Sequence, residues 1–93
     1  MNCVEIKVYG KVQGVGFRYR VKQKADEYGL TGYVMNSNDG GVNAFVCGEF
    51  EHIEQFIHFC ELSPGESQVK EVSVHWVDPP QKPFQNFEIR LDV

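Results

Sequence analysis

The apolar residues of this chain change period along its length, and the order of those changes constrains the fold more than any other feature. Val4, Ile6 and Val8 alternate with Glu5, Lys7 and Tyr9, a period of two that predicts a strand with one buried face, ending at Gly10. Phe17, Val21, Ala25 and Tyr28 then recur at steps of four and three up to Gly29, which predicts a helix with one apolar stripe and a glycine stop. Tyr33 and Val34 open a second strand. The stretch Asn36-Ser37-Asn38-Asp39-Gly40-Gly41 is dense in residues that accept positive φ, and turns a hairpin. Beyond it, Val42, Ala44 and Val46 alternate with Asn43, Phe45 and Cys47 as strand three. Ile53, Phe56, Ile57 and Cys60 have the spacing of a second helix, stopped by Ser63-Pro64-Gly65. Val72, Val74 and Trp76 alternate with Glu71, Ser73 and His75 as strand four, after which Asp78-Pro79-Pro80 and Pro83 break the chain. Phe87, Ile89 and Leu91 predict a short final strand.

The order β-α-β-β-α-β folds most economically as an α+β, ferredoxin-like split β-α-β sandwich: an antiparallel sheet with both helices on one face and a short C-terminal strand. Right-handed crossovers place strand one between strands four and three. Ninety-three residues suit a single core, so 1–93 is read as one domain. With 42% hydrophobic and 24% charged residues, that core can be packed and disorder is not expected. No apolar run approaches the roughly 20 residues that span a bilayer, and MNCVEIKVYG lacks the basic and apolar regions of a signal peptide. The expectation is a cytoplasmic chain with no membrane partner, and nothing demands more than a monomer.

Thirteen acids against nine bases give a formal net charge of −4, which argues against broad attraction to nucleic acid or anionic membrane. Yet Lys7, Lys11, Arg18, Arg20, Lys22 and Lys24 fall in a stretch with no acid between them, either a positive site or a solvated helix face. Cys3, Cys47 and Cys60 cannot all pair within one chain, and no Cys or His spacing fits zinc. His52 and His58 lie roughly 240° apart around a helix, so no metal site is expected.

In the split β-α-β order, strands one and three are antiparallel neighbours. The start of one therefore lies beside the end of the other, where Cys3 and Cys47 fall, and both sit on the face away from the helices. A Cys3–Cys47 disulfide fits that placement; two free thiols, which a reducing compartment favours, are the other outcome. Cys60 belongs to the apolar stripe of helix two and reads as an inert buried thiol.

The loop Lys11-Val12-Gln13-Gly14-Val15-Gly16 before helix one can do more than turn. Gly14 and Gly16 let the backbone approach a ligand, and N–H groups at a helix start favour an anion. Arg18 follows, with a planar fork of donors that can clamp two phosphate oxygens, or can simply be solvated. Asn36, at the end of strand two, could hold a water with its oxygen, or could be an ordinary turn residue. Asn38, Asp39, Gly40 and Gly41 are explained as hairpin chemistry.

Two stretches, Gly10-Lys11-Val12-Gln13-Gly14-Val15-Gly16-Phe17-Arg18 and Gly32-Tyr33-Val34-Met35-Asn36-Ser37-Asn38-Asp39-Gly40-Gly41-Val42, resemble the two signature motifs of the acylphosphatases. Length, element order and the closing Phe87-Glu88-Ile89-Arg90 are similar as well. The resemblance implies a metal-independent hydrolase of acyl phosphates that needs no cofactor. It implies that amides of Gln13, Gly14, Val15, Gly16 and Phe17, with Arg18, bind the phosphoryl group or inorganic phosphate, and that Asn36 orients the attacking water. Departures are Asn43, where the family commonly has glutamate, Met35, where it commonly has a basic residue, and a loosely matching Ser63-Pro64-Gly65. They bear on substrate preference and stability.

The chemistry fits this division. An acyl phosphate has a good leaving group, so the site must bind phosphate, balance its charge and aim one water, with no strong base. A covalent phosphoenzyme is disfavoured because the cradle contains no Ser, Cys, His or Asp. Two rival classes compete with this reading. Ala44-Phe45-Val46-Cys47 is superficially similar to the aromatic strand of an RNA-binding module, but lacks its basic residue, and the net charge is wrong. A phosphate-sensing domain without turnover would have no need of Asn36.

Overall fold

A computed structural model describes residues 1–91. The elements are β1 (Asn2–Lys11), α1 (Phe17–Glu27), β2 (Thr31–Asn36), β3 (Val42–Gly48), α2 (Phe50–Glu61), β4 (Gln68–Val77) and β5 (Phe87–Ile89). They form one sheet in the order β4-β1-β3-β2-β5. This is the ferredoxin-like α+β arrangement, with β1 between β4 and β3 as the crossover rule requires. The predicted elements are all present, most of them a residue or more longer than the apolar alternation alone implied. β1 continues past Gly10 through a register shift against β4 between Tyr9 and Gly10.

Register explains why both helices lie on one face. Val4 pairs with Val46, Ile6 with Ala44 and Val8 with Val42, while Val34 of β2 pairs with Ala44. Those residues form one buried surface, against which Phe17, Val21 and Ala25 of α1 and Ile53, Phe56 and Cys60 of α2 close the core. Val72, Val74 and Trp76 share that face, but β4 is an edge strand. Val74 and Trp76 keep 36% and 43% exposure, with Trp76 stacked on Phe50 at 5.3 Å instead of packed in the core.

Two expectations are corrected. The sheet is mixed: β5 runs parallel to β2, with Gly32 opposite Phe87 and Val34 opposite Ile89. Leu91 lies beyond that strand and is exposed. The parallel strand follows from connectivity. β4 ends at Val77, opposite the start of β1, on one edge of the sheet; β5 begins opposite the start of β2, on the other edge. The chain must cross the sheet between them. It does so over the helix-free face, where Phe84 packs at 5.9 Å from Tyr33 and 5.6 Å from Phe45. Arg90 then lays its guanidinium on Tyr33, 4.1 Å from the ring centre.

At the end of the sheet where β1 starts, Cys3 and Cys47 are register partners and form a disulfide. Closing a loop of sequence separation 44 restricts the unfolded chain by about 4 kcal/mol in the chain-entropy account. Cys60 is free and buried, and burial, with the charge of Glu61 adding to it, pushes its thiol up to about 12. Among the described residues, no helix is long and apolar enough to cross a membrane.

Candidate active site

The opposite end of the sheet carries the loop after β1 and the β2–β3 hairpin. α1 begins without a side-chain cap and without an acid in its first turn. The helix ladder starts with Arg20 N–H donating to Gly16 O at 3.1 Å, so the N–H groups of residues 16–19 precede the first intrahelical bond. Gly14 and Gly16 both adopt φ 74°, a left-handed conformation that L side chains rarely take. A Cβ at either would meet nothing within 4 Å, so the glycines face open space. Conformation, not crowding, requires glycine there.

Gly14, Gly16, Phe17 and Arg18 line a recess of about 260 Å³ with Val12, Tyr19 and Ile89. The apolar members Val12 and Phe17 are buried and anchor the loop to the core. Arg18 Nη1 donates to the Arg90 carbonyl at 3.5 Å, and the Arg90 N–H donates to Val34 O at 2.9 Å. That long, exposed contact places the guanidinium beside the segment following β5, which borders β2. Of the other loop residues, Val15 packs partly buried against the core.

Asn36 pairs with Val42 at the last rung of the β2–β3 ladder. Its Oδ1 is buried and accepts no hydrogen bond within the protein, a state that ordinarily costs free energy and calls for a partner. It lines a separate recess of about 190 Å³ with Met35, Ser37, Asn38 and Asn43. Arg18 and Asn36 therefore open onto two recesses. Met35 and Asn43, the two departures noted in the sequence, are cross-strand partners beside Asn36, so both fall on one pair.

The hairpin is fixed by side chains. Ser37 N–H donates to Gly41 O at 2.9 Å, and Gly41 N–H to Asp39 Oδ1 at 3.0 Å. Lys7 Nζ reaches across from β1 to Ser37 Oγ at 2.6 Å and to Asp39 at 3.0 Å. The Gly41 N–H first, then Lys7 and Ser37, hold the Asp39 carboxyl at about 2. Gln13 joins the hairpin to the glycine loop: its Nε2 donates to Ser37 O at 2.8 Å and to Gly41 O at 2.9 Å.

Sequence reasoning did not find these roles of Lys7 and Gln13. For Lys7 a signal existed, since the β1–β3 register places it opposite Asn43, next to the hairpin. The basic stretch is no continuous positive face. Lys22 pairs with Asp26 and the Phe87 carbonyl, and Lys24 pairs with Glu27 and covers the rings of Tyr28 and Phe59. Among the described residues no cluster of His, Cys, Asp or Glu could hold a metal ion.

Residues 4–89 match the family model described as Acylphosphatase. An acylphosphatase of Vibrio parahaemolyticus is 39% identical over 89 residues, covering 96% of this chain and 97% of that protein. The crystal structure of acylphosphatase from Bacillus subtilis superposes with a TM-score of 0.91 at 33% identity, covering 97% of this chain and 99% of that one. An acylphosphatase structure from Coxiella burnetii gives 0.88 at 34% identity, covering 96% and 92%. The chain belongs to the acylphosphatase family.

Proposed function

We propose that the chain hydrolyses the carboxyl-phosphate bond of acyl phosphates to carboxylate and inorganic phosphate, as one unit spanning residues 1–93. The amides of residues 13–17 and the Arg18 guanidinium bind the phosphoryl group. Donors held in place before a reaction starts balance transition-state charge without reorganising, which is the part this loop and Arg18 would play. Asn36 holds the attacking water through Oδ1. The observation that carries this division is the buried Asn36 Oδ1, an acceptor with no hydrogen-bond partner in the protein, which a bound water would satisfy.

The leaving carboxylate is stable, so the reaction requires alignment of water, phosphorus and leaving oxygen more than a base. The test is hydrolysis of a simple acyl phosphate with a chelator present. Phosphate release at an undiminished rate, inhibited competitively by inorganic phosphate, is the expected result. Phosphate binding without turnover would instead identify a sensing domain.

A further inference from the structure

Gln13 stands between the two halves of the site. Its backbone belongs to the glycine loop, whereas its side chain leaves that loop for the hairpin. A primary amide nitrogen carries two N–H donors, and the carbonyls of Ser37 and Gly41 take both. Those carbonyls form the neck of the hairpin, since Gly41 O also accepts the Ser37 N–H. Asn36 is the residue immediately before that neck. Lys7 holds the same hairpin from β1, and the Gln13 bonds hold it from the glycine loop.

We propose that Gln13 is a positioning residue that sets the separation between the phosphoryl-binding loop and Asn36, and so the distance from phosphorus to the attacking water. This rests on the functional reading above, in which the loop holds the phosphoryl group and Asn36 holds the water. Productive attack needs the reacting atoms about 3–3.5 Å apart, and a misplacement of about 1 Å can reduce the rate about 100-fold. Two short bonds from one side chain supply that restraint where the two elements share no strand pairing. Two donors are needed here: a carboxylate of the same shape would turn lone pairs toward two carbonyl oxygens.

Gln13→Glu and Gln13→Ala test this. Both should lower kcat about 100-fold, with the competitive inhibition constant for inorganic phosphate and the KM within about twofold of wild type, because loop and Arg18 stay in place. Gln13→Glu alone should recover part of its kcat as the pH falls toward the carboxyl range near about 4.3, where one O–H can donate again. Wild type and Gln13→Ala should show no such recovery. As a measurement independent of turnover, titration with inorganic phosphate should shift the Asn36 side-chain amide resonance in wild type and not in Gln13→Ala. The proposal is overturned if both variants keep kcat, if kcat and phosphate affinity fall together, or if Gln13→Glu shows no acid recovery. A wild-type chain without turnover would sink the functional reading itself, a distinct result.

Discussion

The two ends of the sheet are held together by different chemistry. At the end where β1 starts, the Cys3–Cys47 disulfide and the crossing segment, with Phe84 seated on Tyr33 and Phe45, fasten strands to each other through covalent and apolar contact. At the end where β1 stops, Gln13 binds the loop of the left-handed Gly14 and Gly16 to the hairpin, and Lys7 binds β1 to Ser37 and Asp39, all through directional polar bonds. Apolar burial is non-directional and contributes stability; hydrogen bonds fix angles and distances and contribute little net stability each. The contrast implies that stability and catalysis are separable along the strands.

The largest expected effect tests the disulfide end. Replacing Cys3 and Cys47 together by alanine should lower the unfolding free energy by about 4 kcal/mol, measured by urea denaturation, and leave kcat at low temperature unchanged. A turnover that fell as steeply as stability would break the separation. Thiol counting in denaturant without reductant should find one reactive group, Cys60, in the unmodified chain.

At the other end the signature reverses. Arg18→Ala should remove about 2.7–4 kcal/mol of transition-state stabilisation, a loss of turnover of about 10²–10³, with a melting temperature close to wild type. Arg18→Lys should not restore it, since a point charge lacks the bidentate fork. A lysine variant within twofold of wild type would show that charge alone suffices.

How far the sequence foretold each end follows from what makes a pattern. The alternation of Val4, Ile6 and Val8 and the stripe of Ile53, Phe56 and Cys60 are periodic because one face is buried, so the core was legible. Topology and parity then brought Cys3 and Cys47 together. The glycine loop, Arg18 and Asn36 were legible through motif resemblance. The parallel β5 was not, because three residues carry no decisive period and the proline-containing connection gives no direction. Phe84 gave no sign of packing on the sheet, since its partners Tyr33 and Phe45 come from strands distant in sequence. Gln13 was equally silent: its acceptors are backbone carbonyls 24 and 28 residues away, and carbonyls are the same in every sequence.

Within the polar end, binding and alignment should themselves separate. Asn36→Ala should reduce kcat about 100-fold, the scale of a misplaced reactant, and leave the inhibition constant of inorganic phosphate nearly unchanged. The paired measurement is decisive. Parallel loss of phosphate affinity and kcat would place Asn36 among the phosphate ligands and merge the two recesses into one binding site.

The smallest effect concerns Asp39, and it sharpens the comparison because the hairpin contains a carboxylate held by its own fold contacts. Its carboxylate accepts the Gly41 N–H and faces Lys7, which holds it at about 2, below its ordinary 3.8. A depressed carboxyl favours the folded state once ionised, so its contribution is present above about 3.8 and is lost as the pH falls through about 2. The hairpin should therefore keep its geometry through the neutral and mildly acidic range, and amide exchange at Gly40 and Gly41 should accelerate only below that window. The disulfide itself carries no titrating group, so the step at Gly40 and Gly41 should be local to the hairpin. Asp39→Asn should abolish the acid step while retaining an acceptor for the Gly41 N–H. An Asp39 resonance that titrated at the ordinary value would mean that the Lys7 and Gly41 contacts do not persist in solution, and the polar end would then lack the rigidity on which its role in alignment depends.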